Sequence, residues 1–586
     1  MFCCSFDDDV RVPKEVSDLL TPAEAKALAA RFRKISGSMF MSFDVFRKSL
    51  GLFGANPGDC YIGERLFAAF DKDCDGKLGR SEYIASLAVM LRGSEDARLE
   101  LSFRVFDAKN CGHIQLEEFL KILTSLRSAN NTLSGSHIQG DLGLRELFES
   151  LSQGQNSLDL ARFKAAVRNS NDFLSALGLN AREVERGRAM NSGETPSSPE
   201  PQSAVPRIVP PSPAGQAARP RHRAARVILG PRKGLAVHFG HENWNMVLNM
   251  MIGMRLAVGR GDMEISRNVT AGDFLVKDKF SILPSLTNFL DSQLSKKIET
   301  MRFMDYAPFV FRSLRHADGI TAEKFLRSVG PEQLMGNLLL GNISSLAQQS
   351  SEGKSGSFFY YTADGQFLLK TISRNEKRRL KAMLPDYFAY LQKEPYSLLL
   401  RFYGLHSLRE KRKRRSGPPL YFVVMGNVFG DFDISKSYDL KGSWVERWAK
   451  PGSSTLKDKD FMKANEKINI SSDARSRLLE QLRKDVEFLS SHGLVDYSLL
   501  LGISDNSAVS ISDEPCTGLS VLPSADCSRV FTLGVIDILT TFDLTKRAER
   551  VFKSIFYDSS GISSMAPNEY GQRFLGFMAR VFSEDP

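Results

Sequence analysis

The chain has 586 residues, 42% hydrophobic and 25% charged, a balance that excludes a disordered chain and, at this length, predicts two or three globular domains. Lys and Arg outnumber Asp and Glu by 78 to 68, a net charge of +10, which predicts attraction to a polyanion, nucleic acid or acidic lipid. No apolar run reaches the ~20 residues of a bilayer span, and MFCCSFDDD lacks the basic start and apolar core of a secretion signal, so the expectation is a cytoplasmic protein that meets membranes only peripherally.

The cysteines Cys3, Cys4, Cys60, Cys74, Cys111, Cys516 and Cys527 are scattered and lack metal-ligand spacing, which suits a reducing compartment. Cys3 and Cys4 form an adjacent pair open to S-acylation, whereas Phe2 stands where a myristoylation signal needs glycine.

Residues 1–185 read as helices with a loop repeat at roughly 36 to 44 residues. Within it, Asp71 to Glu82 (DKDCDGKLGRSE) places oxygen ligands as a calcium loop needs them: Asp71, Asp73 and Asp75 converge, Gly76 allows the bend, the Lys77 carbonyl contributes and Glu82 closes the cage. Leu66, Phe67 and Phe70 before the loop, and Leu78, Tyr83, Ile84 and Leu87 after it, have the apolar spacing of paired helices. A second loop, Asp107 to Glu118, keeps Gly112, Ile114 and Glu118 but has Lys109 and Cys111 where acids belong, and an ammonium inside the cage opposes a cation. Around Phe32, Met41 and Phe46, and around Phe148, Leu158 and Phe163, only the apolar frame persists. This stretch resembles a four-hand EF-hand calcium sensor of the calmodulin or neuronal calcium sensor type with one intact loop.

Residues 186–240 shift to Pro, Ser, Ala and Arg without periodicity, a linker whose basic end is either a plain tether or a contact for an anionic surface. From 241 to 586 strands and helices mix: FLLK and YFVVM read as short apolar strands, ARSRLLEQLRKDVEFLSS as a helix. Gly353, Lys354, Ser355, Gly356 and Ser357 form a glycine-rich turn whose amides suit phosphate oxygens; it is not a Walker A loop, because Gln348 stands at the first glycine. Lys370 ends FLLK, where an ammonium suits ATP phosphates, although a strand-end lysine in water is the simpler reading of the residue alone. Glu376 is a candidate ion-pair partner for it. In YFVVMGNV, mostly core, Met425 and Val428 are candidates to line an adenine slot.

From Asn243 onward, the blocks NWNMVLNMMIGMRLAV, FMDYAPFVFRSLR, GKSGSFFYYTADGQFLLKTI, YDLKGS, VDYSLLLGI and GVIDILTTFD resemble the phosphatidylinositol phosphate kinase family, in the family's order. With the EF-hand resemblance of the first part, this implies a multidomain chain, an all-α EF-hand module followed by a two-lobed α/β kinase domain. It implies ATP and magnesium as cofactors beside calcium, with Lys441 on the transferred phosphate, Asp496 as base or orienter of the attacking hydroxyl, Asp537 on magnesium and Asp439 supporting them. The protein-kinase settings are missing: no His-Arg precedes Asp496 and no Phe-Gly follows Asp537.

Glu549, in KRAER, is where the 4-phosphate 5-kinases resemble one another in glutamate and the 5-phosphate 4-kinases have alanine. The implied substrate is phosphatidylinositol 4-phosphate in an anionic membrane rather than nucleic acid, with Lys546, Arg547, Arg550 and Lys553 beside Phe552, Ile555 and Phe556 suited to that surface. KRKRR (411–415) reads as a solvated loop or nuclear signal that could also touch lipid. Small GTPases as partners, and a homodimer, are left open. The competing readings are a catalytically inactive EF-hand membrane scaffold and a lipid kinase of other headgroup preference.

Overall fold

The computed structural model describes residues 18–50, 60–134, 142–179, 244–259, 267–282, 300–341, 347–350, 358–362, 364–411, 417–430, 432, 434–445, 447–450, 453–505, 519–542 and 565–582. The pairs Cys3–Cys4, the linker, Gly353 to Ser357, most of KRKRR and the segment carrying Lys546, Arg547, Glu549 and Lys553 lie outside these residues.

The first part is four helix–loop–helix units. Helix Pro22–Ser36 starts where Thr21 and Glu24 cap one another and stops at Gly37, whose φ of 63° ends the helix without steric cost. Two-residue strand Phe40–Met41 pairs with Leu78–Gly79, and His113–Gln115 with Ser157–Asp159, all antiparallel. Each ribbon couples the loops of two neighbouring units, and the helices bury one aromatic core, with Phe46 against Phe67 and Phe70, and Phe106 against Phe119 and Phe163.

Helix Trp244–Gly259 is apolar on nearly every side and is buried on two fronts, as a helix of this pattern must be. Trp244 donates its indole N–H to the Leu50 carbonyl at 3.2 Å. Farther along, a Cβ at Gly253 would lie 2.0 Å from the Phe303 ring, so glycine is required for the helix to lie flat on the sheet behind it. The four-unit module also touches the next lobe directly: the Ser102 hydroxyl bonds the Leu339 carbonyl at 2.5 Å, and Gly336 packs on the Leu177 carbonyl. Module, helix and first lobe therefore share one apolar core, a junction of which the sequence carried no sign.

That lobe is a seven-stranded antiparallel sheet in the order Lys277–Ile282, Thr300–Tyr306, Phe402–Lys411, Leu420–Gly426, Phe367–Ile372, Phe358–Tyr361, Ala347–Ser350. FLLK and YFVVM are the adjacent strands, with Lys370 opposite Val423. Lys370 is inside its strand rather than at the end: Thr371 and Ile372 continue the ladder in buried positions, and Ser373 then caps helix Arg374–Lys393. In the final strand pair Ser350 faces Phe358.

The second lobe is a five-stranded sheet in the order Thr455–Lys457, Lys436–Leu440, Ser498–Ser504, Val530–Ile536, Val521–Pro523. Helices Ser472–Ser491 and Pro567–Val581 pack beside it, with Tyr570 and Phe574 edge-on to Tyr497. The lobes are stitched where Val535 exchanges backbone hydrogen bonds with Leu398 (2.7 Å) and Leu400 (2.9 Å). Buried Asp485 fixes that crossing by accepting from Tyr390, Ser397 and the Leu398 N–H, all at 2.7–2.8 Å; burial pushes its carboxyl up and these donors partly oppose that.

Candidate active site

Three strands of the second sheet end at one edge. Ser498 faces Ile536 and Leu440 faces Leu499, so Lys441, Asp496 and Asp537, lying just beyond those pairs, leave the sheet together. Asp496 and Asp537 take left-handed backbone with φ of 63° and 60°, a conformation that costs an L-residue roughly 1–2 kcal/mol and that aspartate tolerates better than most. Such strain at two acids on one edge is characteristic of a functional site.

Lys370 reaches the same edge from the first lobe and donates to Asp537 Oδ1 at 2.9 Å. Asp537 shows 46% of its side chain to solvent, yet protein crowds it on the remaining sides, and this desolvation acts to raise its carboxyl. The charges of Lys370 and Lys441 outweigh that, and the repulsion from Asp496, and hold the group below the ordinary carboxylate range. Asp496 is buried. Two carboxylates within electrostatic reach, one of them ionised and open to the cleft, suit a hard cation that takes oxygen ligands, so the residues present fit magnesium. Asp537 would be the group to hold it.

Glu376 does not pair with Lys370. Its carboxylate accepts the Ser373 N–H at 2.7 Å and closes the capping box of helix Arg374–Lys393, which satisfies an otherwise orphaned helix-start donor and leaves Lys370 to Asp537. Asp439 lies behind Lys441, its carboxylate 3.2 Å from Arg447 Nη2. Met425 is buried in the sheet core. Val428 packs on Gly534, where any Cβ would meet it at 2.6 Å, within the strand that leads to Asp537.

Asp458 and Arg447 went unread in the sequence, because KDKDF looks like a solvated helix start. Asp458 Oδ1 accepts the backbone N–H groups of Lys441 (2.9 Å) and Gly442 (2.7 Å), and Oδ2 accepts Arg447 Nε at 2.6 Å. Arg447 also donates to the Asp439 carbonyl. One buried carboxylate thus holds the turn that presents Lys441. Its only sequence signal is acid and arginine within a short span of a Lys-Gly turn.

In the helical module the ligand oxygens of Asp71, Asp73 and Glu82 lie within 4.8 Å of one another. Asp75 Oδ1 accepts the Lys77 N–H at 2.7 Å, as Asp73 Oδ1 accepts the Asp75 N–H at 3.3 Å. Asp71 Oδ2 accepts from Gly76 at 2.9 Å, while Oδ1 is buried with no hydrogen-bond partner. Burial, with the charges of Asp73 and Glu82, pushes the Asp71 carboxyl up against the Gly76 bond. A cation would supply the missing partner, so the loop fits calcium. The loop at Asp107 has the same frame without the vacancy: Asp107 accepts from both Cys111 (3.0 Å) and Gly112 (2.8 Å), and Lys109 turns to Gln115.

Residues 340–520 and 511–581 match the family model "Phosphatidylinositol-4-phosphate 5-Kinase". Similar proteins include the phosphatidylinositol 4-phosphate 5-kinase of Plasmodium falciparum (36% identical over 377 residues, 59% of this chain and 21% of that one). Another is phosphatidylinositol 4-phosphate 5-kinase its3 of Schizosaccharomyces pombe (29% over 422 residues, 59% and 54%). A third is phosphatidylinositol 4-phosphate 5-kinase 4 of Arabidopsis thaliana (30% over 425 residues, 61% and 52%). The chain therefore spans from about a fifth to about half of the length of these relatives. Its C-terminal part, residues 340–581, is thus similar to the phosphatidylinositol-4-phosphate 5-kinase family.

Proposed function

We propose that this chain is a phosphatidylinositol phosphate kinase that transfers the γ-phosphate of ATP to the 5-hydroxyl of phosphatidylinositol 4-phosphate at a membrane surface. The observation that carries the reading is the meeting of Lys370, Lys441, Asp496 and Asp537 at one edge between two lobes. Phosphoryl transfer needs charge neutralisation and positioning more than covalent chemistry, and this set supplies both. Lys370 faces the nucleotide phosphates, Lys441 the phosphate in transit, and Asp496 orients the lipid hydroxyl and takes its proton. Magnesium bound at Asp537 would neutralise charge on the phosphates. Preference for the 4-phosphate rests on Glu549.

The helical module is read as an EF-hand sensor that binds calcium at Asp71, Asp73, Asp75, the Lys77 carbonyl and Glu82 and, because it shares a core with the first lobe, alters kinase activity. Phosphate transfer to vesicles carrying each phosphatidylinositol monophosphate separately tests the reading with native chain, Asp496→Asn and Glu549→Ala. Product only from the 4-phosphate, lost in Asp496→Asn and redirected in Glu549→Ala, is expected. Absence of turnover on every lipid, with calcium binding intact, would favour the inactive scaffold.

A further inference from the structure

The chain following Lys441 turns outward and exposes side chains that water disfavours. Trp444 is 42% exposed, Trp448 48% and Met462 62%. These are three of the eight large apolar side chains exposed among the described residues, gathered in one short stretch. Trp448 is flanked by lysine: Lys459 Nζ stands 5.7 Å and Lys463 Nζ 6.0 Å from its ring. On helix Asp458–Ala464, positions 459, 462 and 463 share a face by their spacing, and Phe461 and Asp458 are buried on the other.

The carboxylates of this helix are engaged by backbone and arginine donors and not by the lysine ammonium groups of that face. Asp458 is bound to the Lys441 turn and Arg447. Asp460 accepts the Ala449 and Lys457 N–H groups at 2.8 and 3.1 Å. Among the described residues, the outward face is left with indole rings, a thioether and ammonium groups. Indoles seat at the boundary between acyl chains and headgroups, and lysine stems lie along apolar surface while their heads reach phosphate.

We propose that Trp444, Trp448, Met462, Lys459 and Lys463 form a docking surface for an anionic bilayer, separate from the segment around Glu549. The inference rests on the lipid-kinase reading, since a bilayer-embedded acceptor is what this surface would bring to Lys441. Asp458 ties the two together: the carboxylate that fixes the Lys441 turn begins the helix that carries the lysines. Docking therefore sets the height of the catalytic turn above the headgroups.

The tryptophans themselves supply the assay. The chain has three, and Trp244 is 5% exposed at the junction with the helical module, so lipid-dependent emission changes report on Trp444 and Trp448. With full-length chain and phosphatidylcholine–phosphatidylserine vesicles, the emission is expected to shift to the blue and to be quenched by brominated acyl chains, and phosphatidylcholine alone to give little of either. The double variant Trp448→Ala/Met462→Ser, and separately Lys459→Glu/Lys463→Glu, should bind the anionic vesicles about tenfold more weakly or worse. Both should lose turnover of vesicular phosphatidylinositol 4-phosphate in proportion, while turnover of a water-soluble short-chain form is retained.

Unchanged vesicle affinity with no quenching would overturn the proposal. So would equal loss on the soluble substrate, which would reduce the patch to a support of the catalytic turn, or a spectral response to polyglutamate and not to vesicles, which would make it a protein-binding surface. Quenching by vesicles in a chain that phosphorylates no lipid would uphold the surface and sink the kinase reading.

Discussion

Replacing Asp458 with asparagine keeps the size of the side chain and removes its charge. One oxygen remains for the Lys441 and Gly442 N–H groups, but an amide NH2 then faces Arg447 Nε, donor against donor, at a contact that is 2.6 Å in the native chain. Asp458 is 2% exposed, so water cannot substitute. Breaking a buried ion pair from one side costs about 3–5 kcal/mol, and the persisting contact of Arg447 with Asp439 puts the expectation at the lower end. At ~2–4 °C per kcal/mol, the melting temperature should fall by roughly 6–12 °C. A turn displaced by about 1 Å is expected to cost ~10²-fold in kcat. The KM for ATP should hardly move, because Lys370 sits on the other lobe. Kinetics taken well below both transitions, alongside thermal unfolding, separate the two effects. A kcat within twofold of native in a variant that melts lower would refute the positioning role, and an unchanged melt would refute the energetic account as well.

Gly253→Ala should lower the melting temperature although alanine favours helices, because its methyl would lie 2.0 Å from the Phe303 ring; overpacking costs about 1–3 kcal/mol. Gly259→Ala, in the same helix but with nothing within 4 Å, should not, and equal behaviour of the two would contradict the tight seat of the helix. Calcium at ~100 times its dissociation constant should raise the melting temperature by the equivalent of about 2.7 kcal/mol, and Glu82→Gln should abolish the rise; identical melts in calcium and chelator would remove the loop as a site. Asp273 is held far below the usual carboxylate range by Arg267 above all, with the Thr270 N–H and hydroxyl adding to it against desolvation. A depressed acid stabilises the fold above its unfolded pKa, near 4, and that share fades as pH falls toward the folded value. Asp273→Asn should thus melt below native at pH 6 and converge with it in strong acid, whereas a constant gap would contradict the ion pair as the cause.

Strands were legible where burial follows a short-range pattern. FLLK and YFVVM announce themselves by apolar content, and ARSRLLEQLRKDVEFLSS by its period, which became helix Ser472–Ser491. The end of FLLK was misplaced because a lysine reads as a boundary, while Lys370 in fact sits mid-strand with its ammonium turned to Asp537. The Asp458–Arg447 contact was illegible: charged residues look solvated until tertiary structure removes the water around them. The outward turn of Trp444 and Trp448 was hidden for the opposite reason, since an indole reads as core until its surroundings are known. Helix Trp244–Gly259 could be read as buried, but its two partners lie on either side of it in the chain.

That last arrangement has a temporal consequence during synthesis. The four-unit module is complete once Leu179 leaves the ribosome, whereas the helix that covers it comes later and the sheet behind that helix later still. At ~5–20 residues per second, the stretch from Leu179 to Phe303 takes roughly 6–25 s to make. For that interval the nascent module waits with an uncovered apolar face, exposed to chaperones and to neighbouring chains. A fragment ending near Leu179 would keep that face permanently, and is expected to be recovered in better yield when the segment from Trp244 to Gly259 is supplied beside it.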